Sequence, residues 1–441
     1  MPLSTSKADL APARSVLNIF DEIAAHADLL SLLDSKSTND ITQSAQPVIT
    51  DFFAIVKTLL FCIVMVVDAV MAHVVYVRPG DTAMSLGASS TASTALSSTA
   101  PSPHIALSFT LLCTLARLSP AKATFPELAR AFYAALDVIA ADEKGAADSL
   151  VRGIATEAVI GGVARASGMS GPSSSSRQTS PPSPSRIAFA LSCIEQLVPV
   201  LCLGAVEEAW GFVAQYLSSP TPRAPYEAAH SAALALFDAY APAEGEVNKR
   251  EEKAEQIAYV ARLVPYYAQC LIENSSPSHL SLAQLRHAYA MVVRCAGAHD
   301  DALAMYCVQA LLDALTGRAE GNDGTIQPDA AHKQRLRLTL ASTISSVPTS
   351  LLPQVLDELK NLATHSSDGP TATTFTIEER VALRDAIFEE ITEKVGNAGK
   401  EYAVRWWYAN RGVFPPVGSG KGKDVDGKEK GKEEGKLLAQ L

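Results

Sequence analysis

Apolar positions recur along this chain with the spacing of a helix surface and almost nowhere with the alternation of a strand. Residues 15–33 place Val16, Ile19, Phe20, Ile23, Ala24, Leu29 and Leu30 on one broad face, opposite Asp21, Glu22 and Asp28. Ala, Leu, Glu and Arg, all strong helix formers, dominate 124–142 and 226–240, and proline stands at or just before the start of each. The same period predicts helices over 104–118, 146–166, 187–217, 250–273, 280–296, 300–316, 330–346, 350–364, 376–396 and 398–411. Pro199 and Pro265 fall inside two of them and are expected to kink or split the helix, since proline lacks the N–H that the ladder requires. Short turns at Gly297–Asp300 and Ser346–Ser350 join neighbours into antiparallel hairpins.

Longer tracts rich in Ser, Thr, Pro and Gly, 82–103 and 167–186, hold too little apolar surface to fold and read as disordered insertions. The stretch from 415 onward, PPVGSGKGKDVDGKEKGKEEGK, reads as a disordered tail. The expected organisation is an N-terminal helical region (1–166), a Ser/Pro-rich linker (167–186), a C-terminal helical solenoid (187–414) and the tail (415–441). No strict repeat of about 33 or 34 residues with a fixed signature is present. Helix lengths and short turns nevertheless match irregular hairpin stacking, so the expected fold is all-α, a HEAT- or armadillo-like solenoid.

Composition narrows this further. The chain of 441 residues is 48% hydrophobic and 19% charged, which argues against a wholly disordered protein and against an exposed charged coiled coil. Thirty-seven basic against 47 acidic residues give a net charge of −10, and no compact stretch supplies the basic face that a nucleic acid needs. Seven cysteines, odd in number and scattered through apolar context, fit a reducing compartment. The first residues, MPLSTSKADLAPARS, lack the apolar core of a secretory signal.

The stretch 52–77, FFAIVKTLLFCIVMVVDAVMAHVVYV, has two readings. The 20 residues between Lys57 and Arg78 are long enough to cross a hydrocarbon core of about 30 Å. Asp68 near the middle carries an insertion penalty of roughly 2.5–3.5 kcal/mol, which the apolar run before it offsets. The other reading is a central helix buried on every side by its neighbours. Either form suits a protein held tightly at a membrane.

Catalytic signatures do not emerge. Gly418-Ser419-Gly420-Lys421 is followed by Gly422 rather than Ser or Thr, and sits in the tail. His287, Cys295, His299 and Cys307 have spacings unlike a structural zinc site and read as two buried cysteines with two surface histidines. Glu207–Glu208 and Glu389–Glu390 are adjacent acids that point about 100° apart on a helix, so each is expected on a solvated face. The sequence predicts no catalytic, cofactor or metal site, and no small-molecule substrate. Trp406, Trp407 and Tyr408, the densest aromatic cluster, either close the last core layer or anchor a partner.

The chain closes with Ala439, Gln440 and Leu441 on a hydrophilic stalk, the form of a receptor-read C-terminal address. The peroxisomal signal is typically S-K-L; Ala439 and Leu441 fit its small and aliphatic positions, and Gln440 replaces the usual basic residue. An all-helical chain with Ser/Pro insertions, the terminal helix around Arg405–Tyr408 and this ending resembles the fungal peroxin-8 family. That resemblance covers about residues 105–414 in helical pattern, plus the last three. It implies a scaffold on the matrix face of the peroxisomal membrane, linking the receptor-docking complex to the RING-finger complex and contacting the import receptor. Ala439, Gln440 and Leu441 would be the receptor-binding signal.

Overall fold

A computed structural model describes residues 58, 61, 62, 65, 66 and 69, and the segments 103–118, 126–142, 145–156, 183–241, 253–316, 330–365 and 375–415. Among the described residues there is no strand, and thirteen α-helices carry the fold. The chain is all-α, as the apolar period requires. It divides into two compact units: residues 1–240 with 246–260, and residues 241–245 with 261–441.

In the first unit, α1 (Pro103–Leu118) packs on α2 (Pro126–Ala140), and Leu111, Leu112 and Leu115 of the first and Ala131, Ala135 and Ile139 of the second are buried. α3 (Ala146–Ala155) lies against α5 (Leu203–Ala214), and α4 (Pro184–Leu197) against α6 (Arg223–Ala239). Ala229, Ala232 and Ala233 on α6 are fully or almost fully buried; such small side chains let two helix backbones come close. Phe132 of α2 meets Phe189 of α4 edge-on with ring centroids 5.1 Å apart, and Trp210 of α5 meets Phe237 of α6 the same way at 6.3 Å. Each fully buried ring of this size contributes about 1.5–3 kcal/mol.

Pro199 does split its helix. The chain passes from α4 through a 3-10 turn, Val198–Val200, into α5. Carbonyls freed at such a break need donors. The Tyr240 hydroxyl donates to the Val198 carbonyl at 3.1 Å, and Lys253 Nζ donates to that of Pro199 at 2.8 Å. Pro265 behaves differently: α7 (Ala254–Glu273) runs through it unbroken. Val260, Val264, Tyr267, Ala268 and Leu271 give this helix a continuous buried stripe, which holds it despite the lost hydrogen bond. The division between the units falls along α7, after Val260.

The second unit continues with α8 (Leu282–His299), α9 (Asp301–Thr316), α10 (Ala330–Ser342), α11 (Leu352–His365), α12 (Ile377–Glu389) and α13 (Asn397–Asn410). Ser281 and Gln284 form a capping box at the start of α8, and Thr376 and Glu379 another at α12. α8 turns into α9 at Asp300 alone, a tighter turn than the four residues expected. His299 therefore ends a helix rather than sitting in a loop. Gly297 is helical, and its bare backbone faces the Pro348 ring. The Tyr289 hydroxyl donates to the Cys307 carbonyl at 2.8 Å and ties the hairpin internally. α8 packs on α10, α10 on α12, and α11 on α13. Within each unit, successive hairpins bury their apolar faces on their neighbours, the packing of an irregular helical solenoid.

Candidate interaction site

The sequence EEITEK closes α12, and the last turn widens into a π-turn over Glu390–Lys394. Its mark is the Val395 N–H bonded to the Glu390 carbonyl, five residues back, at 2.9 Å. That extra residue swings Glu390 off the solvated face expected for it, and the side chain is 1% exposed. Its Oε1 accepts from Arg286 Nη2 at 3.2 Å and from Lys394 Nζ at 2.7 Å, while Oε2 accepts from Ser345 Oγ at 2.9 Å. A buried carboxylate without such partners would be strongly destabilising. With them it is an electrostatic tie between α8, the end of α10 and the π-turn. Glu389 keeps the solvated side and reaches Lys394 at 3.6 Å. Glu207 and Glu208 are both exposed on α5, as their spacing predicts.

The aromatic cluster splits. Trp406 is 7% exposed and its Nε1 donates to Asp357 Oδ1 at 3.0 Å. Trp407 is 9% exposed, packed between Phe388 at 5.4 Å and Phe414, stacked at 5.6 Å. Tyr408 points outward, 64% exposed, with the Arg411 guanidinium 5.4 Å from its ring centroid. On the helical hairpin, Cys295 and Cys307 are buried, and burial pushes each thiol up to about 12. His287 and His299 stand exposed. Among the described residues, no three His, Cys, Asp or Glu side chains come together as a metal site.

Ala439, Gln440 and Leu441 lie outside the described residues. So does the stretch 52–77, apart from Thr58, Phe61, Cys62, Met65, Val66 and Ala69, which are helical and exposed. Among the described residues no helix is long and apolar enough to cross a membrane.

The helices α3 to α6 enclose the most completely buried rings of the first unit. Tyr226 and Phe237 are fully buried. His230 packs edge-on against Tyr226 at 4.6 Å, and burial lowers its pKa to about 4 against the opposing effect of a hydrogen bond with the Leu217 backbone. Residues 148–238, spanning these helices, match the family model of the PEX8 central TPR-like domain. That match supports a peroxin-8 family assignment for the chain. No curated protein and no solved structure matches the chain. The peroxins this domain is named for are non-enzymatic factors of peroxisomal import, so the match implies an import-related peroxin and the peroxisome as its compartment.

Inside the matched segment, polar ties position the hairpins. Asp148 Oδ1 accepts from the Cys202 backbone N–H at 3.0 Å, which orders the first turn of α5, and Arg152 Nε reaches Glu208 Oε1 at 3.3 Å. Ser231 Oγ donates to Glu195 Oε1 at 2.8 Å and links α6 to α4. Sequence reasoning passed over the Glu390 node. Its one local signal is a Glu–Lys pair four residues apart at a helix end, too common on solvated surfaces to single out.

Proposed function

We propose that this chain is a non-enzymatic scaffold in peroxisomal matrix protein import, held peripherally at the matrix face of the membrane. The PEX8 central TPR-like domain over residues 148–238 carries the proposal. Stacked helical hairpins present broad, rigid surfaces suited to holding several partners at once. The scaffold links the receptor-docking complex to the RING-finger complex and meets the import receptor through Ala439, Gln440 and Leu441. Gln440 donates hydrogen bonds without charge where the typical signal has a basic residue. At the end of the helical region, Tyr408 offers an exposed ring to a partner, and Trp406 and Trp407 brace it from behind.

The test is the position in the cell of the N-terminally tagged chain, intact and lacking Ala439–Leu441, against a peroxisomal matrix marker. Co-localisation that truncation abolishes supports the address, and co-purification of docking and RING components with the intact chain supports the bridge. Diffuse signal from both versions refutes the address.

A second reading keeps the helical adaptor but anchors it in the membrane of another organelle through 52–77. It is favoured by the exposure of Phe61 (44%), Met65 (45%) and Val66 (50%) along one helical stretch. Carbonate extraction separates the two: an anchored chain stays with the membrane pellet and a peripheral one is released.

A further inference from the structure

Above the Glu390 node, α8, the end of α10 and the π-turn enclose a cleft of about 380 Å³, within the size range of ligand sites. Arg286, Arg294 and Lys394 line it, and the sole carboxylate among its lining residues is Glu390. This is a positively charged cleft in a chain whose net charge is −10. A concave site lined by one sign of charge focuses its field and attracts the opposite charge. Glu390 neutralises only part of it. Arg286 donates Nη2 to that carboxylate, while its Nε is buried with no hydrogen-bond partner. Lys394, joined to Glu390 at 2.7 Å and 3.6 Å from Glu389, still has 47% of its side chain in solvent. Arg294 is exposed on α8 and lies over Met291, with Nη2 2.8 Å from the sulfur. The remaining wall is His287 with the apolar Ala283, Ala290 and Met291, and Ser342, Ser345 and Ser346 complete the lining.

We propose that this cleft is a docking site for an acidic, partly apolar segment of a partner protein. Carboxylates of the segment engage Arg294, Lys394 and the guanidinium of Arg286, and an adjacent apolar side chain lies on Met291 and the alanines. Arginine forks match carboxylates in geometry, and methionine adapts to varied apolar neighbours. The apolar wall favours a peptide over a free phosphate or a lipid headgroup, which would leave Met291 and the alanines without a partner. The π-turn is the device that builds the site, because it delivers both the buried Glu390 and the cation four residues beyond it. The site lies outside residues 148–238 and does not depend on which compartment the chain occupies.

The test uses the full chain and a fluorescein-labelled peptide of Glu-Leu-Ala repeats, with a Gln-Leu-Ala peptide as the uncharged control, read by fluorescence anisotropy. The Glu peptide binds, the Gln peptide binds about tenfold more weakly or not at all, and raising salt from about 0.05 to about 0.5 M weakens the Glu complex. Arg294→Glu, on an exposed turn of α8, weakens binding by about tenfold while circular dichroism and thermal unfolding stay as in the parent. Lys394→Met acts in the same direction. A photo-crosslinking side chain at Ala283 captures the Glu peptide. Equal binding of the two peptides, an Arg294→Glu variant that binds as the parent does, or failure to crosslink at Ala283 would each overturn the proposal. Displacement of the peptide by phosphatidylserine vesicles or by submillimolar inorganic phosphate would overturn it in favour of a lipid surface or a small anion.

Discussion

Alanine introduced at Gly297 and at Gly211, one at a time, sets two opposing effects against each other on the same chemical change. Both glycines lie inside helices, where replacing glycine by alanine removes backbone freedom from the unfolded chain and gains about 0.5–1 kcal/mol. At Gly211 on α5, a new Cβ meets nothing within 4 Å, so the gain stands alone. At Gly297 on α8, the Cβ falls 2.7 Å from both Cδ and Cγ of Pro348. That proline cannot step aside easily: its carbonyl accepts the N–H groups of Leu351 and Leu352 at 3.0 and 3.2 Å, and its ring is rigid. Overpacking of this kind costs about 1–3 kcal/mol, which outweighs the helix-propensity gain and leaves a net loss of about 1–2 kcal/mol. For a unit of this size, calorimetric unfolding of the full chain should show Gly297→Ala lowered by about 3–6 °C and Gly211→Ala raised by about 1–3 °C. A Gly297→Ala midpoint equal to or above the parent's would refute the reasoning, since it would mean that Pro348 yields at no cost.

Three further outcomes follow from burial. His230, held near pKa 4 by desolvation, stays neutral in the native state while the unfolded chain protonates it near 6.5. Its contribution is therefore complete above about pH 6.5 and is lost as pH falls towards 4, by about 3 kcal/mol in all; urea titrations across that window should show the slope, and His230→Gln should flatten it. Thiol labelling of the folded chain should modify Cys62 and Cys202, which are exposed, well before Cys193, Cys270, Cys295 and Cys307; rapid reaction of any of the last four would contradict their burial. Trp407→Ala should cost about 3–5 kcal/mol because its ring is packed between Phe388 and Phe414, whereas Tyr408→Ala should change stability by no more than about 0.5 kcal/mol. Denaturant midpoints that ranked the two in the opposite order would refute the split of the aromatic cluster.

Helix positions were legible in the sequence because the information is local. The apolar stripe repeats within four residues, so α1, α2, α6, α9 and α13 begin and end within about three residues of where periodicity places them. Pro199 broke its helix as its missing N–H demands, but Pro265 did not, because Val260, Val264, Tyr267 and Leu271 bury the stripe on both sides of it. Whether a proline ends a helix is thus settled by what the helix packs against, which no local window contains.

The candidate sites depend on distance along the chain. Trp406, Trp407 and Tyr408 stood out by composition, yet only packing against Asp357, Phe388 and Phe414 decided that two rings turn inward and one outward. Glu390 read as one of two solvated acids. Its burial required the π-turn to rotate it and Arg286, 104 residues earlier, to meet it. Gly297 looked like a turn residue until Pro348 proved to lie against its backbone. The sequence by itself determined that this chain is helical, how its helices are spaced and where its polar interruptions fall, since hydrogen bonding and side-chain periodicity act within one turn. The tertiary structure alone decided which charges are buried and where three cations converge on one cleft, because desolvation and Coulomb energy depend on groups that only folding brings together.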